Sequence, residues 1–475
     1  MPTYDCDTDH FVEECGVFGA YFPDADEERR AQLSRIVYYG LYSQQHRGQE
    51  SAGMVLDDGN EFQVYKQLGL VAEVFSDDIL DGLRGHAAVG HVRYSTRGTN
   101  SVTNAQPLVG QSRLGPLAIA HNGNLVNAPV IRDLLEDSGV MFQTSSDSEV
   151  ILNLLARGSR YGLQRALSDT MRTVQGAFSV VILTREGLVG VRDPNGIRPL
   201  CIGSLEDGYV MASESCSLDA VGAELVRDVE PGEIVIITDD GVESVKNSER
   251  TALRTCSFEF IYFARPDSTI DGADVYETRR RAGAQLFAEA PVGADLVAGV
   301  PDSGVVAALG YAEASGIPFG MALIKNKYVG RSFIAPSQKL REQAVHVKLN
   351  VLAGNVRGKR IILIDDSIVR GTTSRRLVAM LKEAGATEVH VRVASPPVYF
   401  PCYFGIDTPS RRDLAASRGV EDIRDMTGAD SLSFLSVEGL LASLGSETRF
   451  CTGCFTGVYP VAAPLEEDKL AMEHR

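Results

Sequence analysis

Two carboxylates stand side by side at the end of an apolar run in RIILIDDSIVRGTTS. Ile361 to Ile364 reads as a buried strand, and Asp365 and Asp366 close it. A loop with Arg370, Gly371, Thr372, Thr373 and Ser374 then opens a helix. Backbone N–H groups and hydroxyls at a helix N-terminus make a phosphate cradle. Adjacent aspartates suit sugar hydroxyls or a Mg²⁺ ion. The plain alternative is a solvated strand end with a helix cap.

A second reactive group lies in FVEECGVFGA, where Cys15 precedes Gly16 at the start of an apolar strand. Taken alone it reads as a buried core thiol. Downstream stand QHRGQESAG, GHVRYSTRG, AHNGNL and TSSDSE, each a polar cluster beside a strand. Together they offer what a cysteine amidase needs. An Arg fork and a carboxylate grip an amino acid's charged ends, and an Asn with a Gly N–H stabilises an oxyanion. A base is missing, because nothing marks His46, His91 or His121 as a partner for Cys15. Removal of residues 1–14 would supply one. Cys15 would become N-terminal, and its α-amine, with a pKa near 8, would act as the base.

A third cluster is RFCTGCFTG, with two residues between Cys451 and Cys454 in a C-x-x-C pattern. Cys256 and Cys402 lie in the aromatic stretches CSFEFIYFARP and PPVYFPCYFG. Two distant cysteines plus a C-x-x-C fit a four-thiolate site, and spacing alone leaves zinc, iron–sulfur and no metal open. Cys201 and Cys216 read as core thiols, and Cys6 has no assigned role.

These groups need two kinds of scaffold. As far as about residue 245 the chain shows short β-rich runs broken by Gly and Asn, with helical periodicity in ERRAQLSRIVYYGLYSQQ and DSEVILNLLARGS. Antiparallel sheets covered by helices are expected there. The polar run ITDDGVESVKNSERT is expected to connect to a second half with strand–helix–strand order, hence a parallel doubly wound sheet. At 475 residues, two or three domains are expected. The net charge of −17 argues against a nucleic-acid partner. Between Lys325 and Lys348, by contrast, six Lys or Arg face one carboxylate, Glu342, which fits a polyphosphate ligand. No apolar run is long enough to span a bilayer, and the acidic leader MPTYDCDTDH lacks the features of a secretory signal. Eight sparse cysteines point to a reduced, cytoplasmic protein.

RIILIDDSIVRGTTS resembles the signature of type I phosphoribosyltransferases, and VPDSGVVAA their second loop, with Asp302, Ser303 and Gly304. EECGVFG resembles the start of the N-terminal nucleophile (Ntn) glutamine amidotransferases. From about Cys15 to Tyr459 the whole resembles the glutamine phosphoribosylpyrophosphate amidotransferases, with the motifs in the family's order. The resemblance implies an α+β Ntn-hydrolase sandwich of four layers (αββα) followed by an α/β type I phosphoribosyltransferase domain. It implies a cleaved propeptide at 1–14, an amidotransferase domain at 15–245, a phosphoribosyltransferase domain at 260–440 and a cysteine-bearing segment at 441–475.

The activity implied is the first step of de novo purine synthesis. Glutamine, phosphoribosyl pyrophosphate and water would give 5-phosphoribosylamine, pyrophosphate and glutamate, with ammonia passed internally. Cys15 matches the nucleophile, and Asn122 and Gly123 match the oxyanion hole. Arg93 and Asp147 match the residues holding glutamine's α-groups, with Arg47 and Thr96 in support. Asp302, Ser303, Gly304, Asp365, Asp366, Arg370, Gly371, Thr372, Thr373 and Ser374 match the phosphoribosyl pyrophosphate site, with Mg²⁺ at Ser303, Asp365 and Asp366. Lys327 and Arg331 belong to the family's closing loop, with Gly330 as a hinge. One branch of the family holds a [4Fe–4S] cluster on four cysteines placed like Cys256, Cys402, Cys451 and Cys454. Purine nucleotides as feedback inhibitors and a homo-oligomer, dimer or tetramer, are also implied. The rival readings are a regulator that binds phosphoribosyl pyrophosphate without catalysis and an amidotransferase with another acceptor.

Overall fold

The computed structural model describes residues 15–94, 101–247, 252–326, 349–406, 408 and 414–463. Thr96, Lys327, Arg331, Cys6 and the expected propeptide lie outside the described residues.

In the first half, alternating apolar residues build two antiparallel sheets. One has seven strands, with Gly16–Tyr21 between Gly208–Ala212 and Ala87–Arg93 near its centre. The other has six, with Gly115–Leu125 paired to Gly176–Leu183. Val17, Val89, Ala120, Val181 and Val235 pack in one cluster drawn from both sheets, so the sheets face each other. The outer face of the first sheet carries Leu33, Val37 and Leu41 of the helix Glu27–Ser43. The outer face of the second is covered by the helices Ala128–Asp137, Ser148–Gly158 and Leu163–Thr173. The order is helix, sheet, sheet, helix, as the resemblance implied.

The polar run after Ile237 folds differently from the expected connection. Glu233–Thr238 and Gly241–Lys246 pair as a hairpin that completes the second sheet. Asp239 and Asp240 before Gly241 form its turn, and the surrounding charge masks the short alternation around Val242 and Val245.

The second half is built on a parallel sheet in the order Leu296–Gly299, Arg360–Asp365, Glu388–Val393, Ser431–Phe434. Ile362 and Ile364 join the core on one face, and Ile361 and Leu363 the core on the other, as a strand's period of two requires. The helices Val275–Glu289 and Gly304–Ser315 cover the first face, and Thr372–Glu383 covers the second. The phosphate motifs thus emerge at the carboxyl ends of two adjacent strands, where such sheets bind ligands. A short parallel pair, Thr255–Cys256 with Phe450–Cys451, ties the start of the second half to its C-terminal segment.

Candidate active sites

Cys15 immediately precedes the strand Gly16–Tyr21. The pairing of Gly16 with Val92 puts Arg93 level with Cys15 on the neighbouring strand. Both are buried, at 8% and 3% exposure. The thiol lies 3.7 Å from the Tyr94 carbonyl oxygen. Burial pushes it up to about 11, with the Arg93 charge pulling it down and Asp147 and Glu50 pushing it up. Three of the charges that act on the thiol are therefore those of Arg93, Asp147 and Glu50. Glu50 was not picked out from the sequence.

The facing sheet supplies the other wall. His91 reaches across through Nε2 to the His121 carbonyl at 3.0 Å, fixing the strand that ends at Arg93 against the strand that carries Asn122 and Gly123. Burial drives the His91 imidazole down to about 3, so it is neutral and acts as a strut. Asn122 is buried, and its Nδ2 has no hydrogen-bond partner among the described residues. A buried amide donor left unmatched costs stability, which is what a donor kept for a transient oxyanion looks like. Gly123 has φ +140°, and a Cβ there would collide with the Ala177 carbonyl oxygen. Asp147 accepts from the Leu125 N–H at 2.9 Å, and its other oxygen is 3.7 Å from His121 Nδ1.

Each histidine considered as a base is engaged elsewhere. His46 meets Glu214 at 2.7 Å, His91 meets the His121 carbonyl, and His121 meets Ser148 at 3.0 Å. Arg47 lies behind this site. Its guanidinium is buried and paired with both Glu214 and Glu259. It supports the pocket through the chain, since a Cβ on the next residue, Gly48, would lie 2.5 Å from the Arg93 nitrogen.

In the second half, Asp366 joins the two phosphate loops. Its oxygens accept from Ser303 Oγ at 2.9 Å and Ser367 Oγ at 3.0 Å, and its N–H donates to Asp365 Oδ1 at 3.0 Å. Asp365 and Asp366 are buried, whereas Asp302 is exposed and paired with Lys325 Nζ at 2.7 Å. Gly304 begins one helix, and a Cβ on it would lie 2.5 Å from the Ile364 carbonyl oxygen. Gly371, at φ +81°, caps the helix Thr372–Glu383, whose first turn carries Thr373 and buried Ser374. Arg370 lies in the loop just before it. Arg279, missed in the sequence because its motif is an ordinary helix face, is buried beneath this site. Burial pulls its guanidinium down to about 10 against the opposing pull of Asp366. A small cavity lined by Phe260, Ile261, Arg279, Ser303 and Asp366 lies here.

The four cysteines come together. Cys256 and Cys451 are paired residues of the short parallel ladder, and the Cys454 carbonyl accepts from the Tyr399 and Phe400 N–H groups at 3.0 Å. Cys402 Sγ accepts from the Phe404 N–H at 3.3 Å. Burial pushes Cys256 and Cys451 up to about 12, and the other thiols of the group add to that. All four are free of disulfides and packed among Phe258, Phe260, Phe455 and Tyr459. Among the described residues no three His, Cys, Asp or Glu side chains stand close enough to hold one metal ion. Buried thiols with no disulfide, an apolar shell and an N–H aimed at sulfur suit an iron–sulfur cluster. A four-iron cluster is wider than one ion, so its ligands need not converge on one point.

A buried thiol leading into a two-sheet sandwich with an unmatched amide donor on the facing sheet, followed by a parallel sheet with two adjoining strand-end loops, is the architecture of an amidotransferase joined to a phosphoribosyltransferase. Comparison with known proteins agrees. Residues 91–220 match the glutamine amidotransferase domain and residues 273–395 the phosphoribosyl transferase domain. The chain is 51% identical over 455 residues to the amidophosphoribosyltransferase of Bacillus subtilis, covering 94% of each. It is 50% identical to that of Archaeoglobus fulgidus, covering 95% of this chain and 99% of the relative. The structure of glutamine phosphoribosylpyrophosphate amidotransferase from B. subtilis complexed with ADP and GMP superposes with a TM-score of 0.89 at 49% identity, covering 97% of this chain and 100% of that one. The chain belongs to the amidophosphoribosyltransferase family.

Proposed function

We infer that this chain catalyses the family's reaction: glutamine, phosphoribosyl pyrophosphate and water give 5-phosphoribosylamine, pyrophosphate and glutamate, the first step of purine biosynthesis. The observation that carries the assignment of roles is the unmatched Nδ2 of Asn122, on the sheet that faces the one led by the buried Cys15. Cys15 attacks the side-chain amide, Asn122 and Gly123 receive the oxyanion, and Arg93 and Asp147 hold the α-carboxylate and α-amine, with Thr96 and Arg47 in support. His46, His91 and His121 are each hydrogen-bonded elsewhere, so the base is the α-amine exposed when residues 1–14 leave.

Ammonia then passes inside the protein to the ribose C1 and displaces pyrophosphate. The loops at Asp302–Gly304 and Arg370–Ser374 hold the phosphates, and Lys327 and Arg331 close over them. Ser303, Asp365 and Asp366 would hold a Mg²⁺ ion, which would supply charge compensation at the leaving group. Cys256, Cys402, Cys451 and Cys454 would hold a [4Fe–4S] cluster, which would supply structural cross-linking and sensitivity to oxygen. The domain limits 15–245, 260–440 and 441–475 follow the same reading. Purine nucleotides act as feedback inhibitors, in keeping with the ADP and GMP bound to the solved relative. A cytoplasmic setting fits the free thiols among the described residues, and the chain assembles as a homo-oligomer. Among the described residues, no helix is long and apolar enough to cross a membrane.

The test separates the two sites. Cys15→Ala should abolish product from glutamine and keep product from high external ammonia, while Asp366→Ala should impair both routes. Loss of the ammonia route in a folded Cys15→Ala enzyme contradicts the assignment.

A further inference from the structure

A loop from the transferase half lies against the oxyanion donors of the amidase half. Three successive residues make three successive contacts. The Tyr403 carbonyl accepts from Asn124 Nδ2 at 2.7 Å. The Phe404 carbonyl accepts from Arg198 Nε at 2.9 Å. Gly405, at φ +106°, approaches so closely that a Cβ on it would lie 3.0 Å from both Cα and C of Gly123.

All three contacts converge on one short piece of strand. Asn124 follows Gly123 directly. Arg198 returns to it from behind, because its carbonyl accepts from Ser179 Oγ at 3.0 Å and Ser179 is the ladder partner of Asn122. Gly123 itself holds a backbone conformation that L side chains rarely adopt, so the strand alone does not dictate its N–H direction. The loop is anchored one residue earlier, where the Cys402 N–H donates to Thr408 Oγ1 at 2.9 Å.

We propose that Tyr403, Phe404 and Gly405 are positioning residues for the oxyanion hole: they fix Asn122 and Gly123 from the transferase half, so that glutamine hydrolysis requires that half to be in place. The inference rests on Asn122 and Gly123 being the oxyanion donors. Such donors work by preorganisation, and a small displacement of a reacting group costs rate steeply. Contact between two glycine backbones leaves no side chain to absorb a shift, so a movement of the loop is passed to Gly123 undiminished.

The test uses the full chain with Asn124→Ala and Gly405→Ala. The first removes the tie to Tyr403 without adding an atom, and it serves if the second misfolds. Glutamine hydrolysis should lose about tenfold in kcat, with the KM for glutamine nearly unchanged and ammonia-dependent synthesis retained. Affinity for a glutamine γ-aldehyde, whose adduct with Cys15 carries the oxyanion, should fall in step with kcat/KM. Alkylation of Cys15 by iodoacetamide, which builds no oxyanion, should keep its rate. Equal loss of alkylation, aldehyde affinity and the ammonia route would mean general disruption and overturn the proposal. Asn122→Ala tells the two levels apart. If it lowers kcat by about a hundredfold while both loop variants keep full kcat, the positioning role fails alone. If it has no effect, the oxyanion assignment fails and the positioning role with it.

Discussion

Arg47 and Glu259 form a buried ion pair across the boundary between the two halves, although 212 residues separate them in sequence. Glu259 also meets Arg198 Nη1 at 3.4 Å, so one carboxylate from the transferase side serves two arginines of the amidase side. Glu214 completes the set on the other flank of Arg47. Breaking a buried pair by removing one partner leaves an uncompensated charge. Glu259→Gln should therefore destabilise the folded chain by about 3–5 kcal/mol, read as a lower denaturation midpoint. An unchanged midpoint would show that the pair is dispensable.

The same network sets a response to acid. Burial works against ionised Glu214, but Arg47 and His46 outweigh it and hold the carboxyl well below the usual range. Its contribution to stability is complete above the unfolded carboxylate value of about 4.3. It is lost as pH falls through the folded value. Glu214→Gln should lower stability at neutral pH and flatten its decline below about pH 4. A decline as steep as that of the unaltered chain would assign acid sensitivity to other groups.

Processing at Cys15 has a chemical signature. With Cys15 inside the chain, burial holds its thiol at about 11, so at pH 8 only about one molecule in a thousand carries the thiolate. Alkylation of the uncleaved chain should be slow and should climb with pH toward 11. Once residues 1–14 are gone, reaction should be faster and follow the α-amine, with a midpoint near about pH 8. Intact mass should show the shortened chain. Full activity with Met1 retained would refute the cleavage.

Protein purified without air should be brown, with iron and sulfide in proportion, and should bleach slowly in air. Cys402→Ser should lose iron and colour. Stoichiometric zinc in a colourless anaerobic preparation would exclude the cluster. Because Cys402 begins the loop that reaches Gly123, the same variant should also lose glutaminase activity before it loses ammonia-dependent synthesis.

The reactive groups were legible because each is a local pattern. Asp365 and Asp366 end a run whose apolar residues had to be a strand, and Gly371 with Thr372 had to open a helix. Cys15 stood out only through the polar clusters downstream of it and the base they lacked. The supports were not legible. Glu259, Arg198, Glu214 and Gly405 act through partners far away in sequence, and a buried arginine carries no periodicity that separates it from a surface one. Nothing in the sequence marked His91 as a base for Cys15, and its place between two sheets shows it to be a strut. The hairpin at Glu233–Lys246 was hidden by its charge, since an edge strand with one wet face reads much like a loop.

The phosphate site makes its own prediction through Gly304. Its helix starts so close to the neighbouring strand that a Cβ would sit 2.5 Å from the Ile364 carbonyl oxygen and 3.4 Å from Asp365 Cα. Both neighbours are backbone, so the added methyl cannot be accommodated by a rotamer change. The strain of such overpacking is about 1–3 kcal/mol, and it would push the Asp302–Gly304 loop away from Asp365 and Asp366. Gly371 differs, because its near neighbour is the flexible end of Met426 and its constraint is the positive φ. Gly304→Ala should therefore raise the KM for phosphoribosyl pyrophosphate by about tenfold or more, whether glutamine or ammonia is the nitrogen donor. Gly354→Ala, where nothing lies within 4 Å of the new atom, should leave that KM unchanged. Equal behaviour of the two variants would show that the close approach at Gly304 does not shape the site.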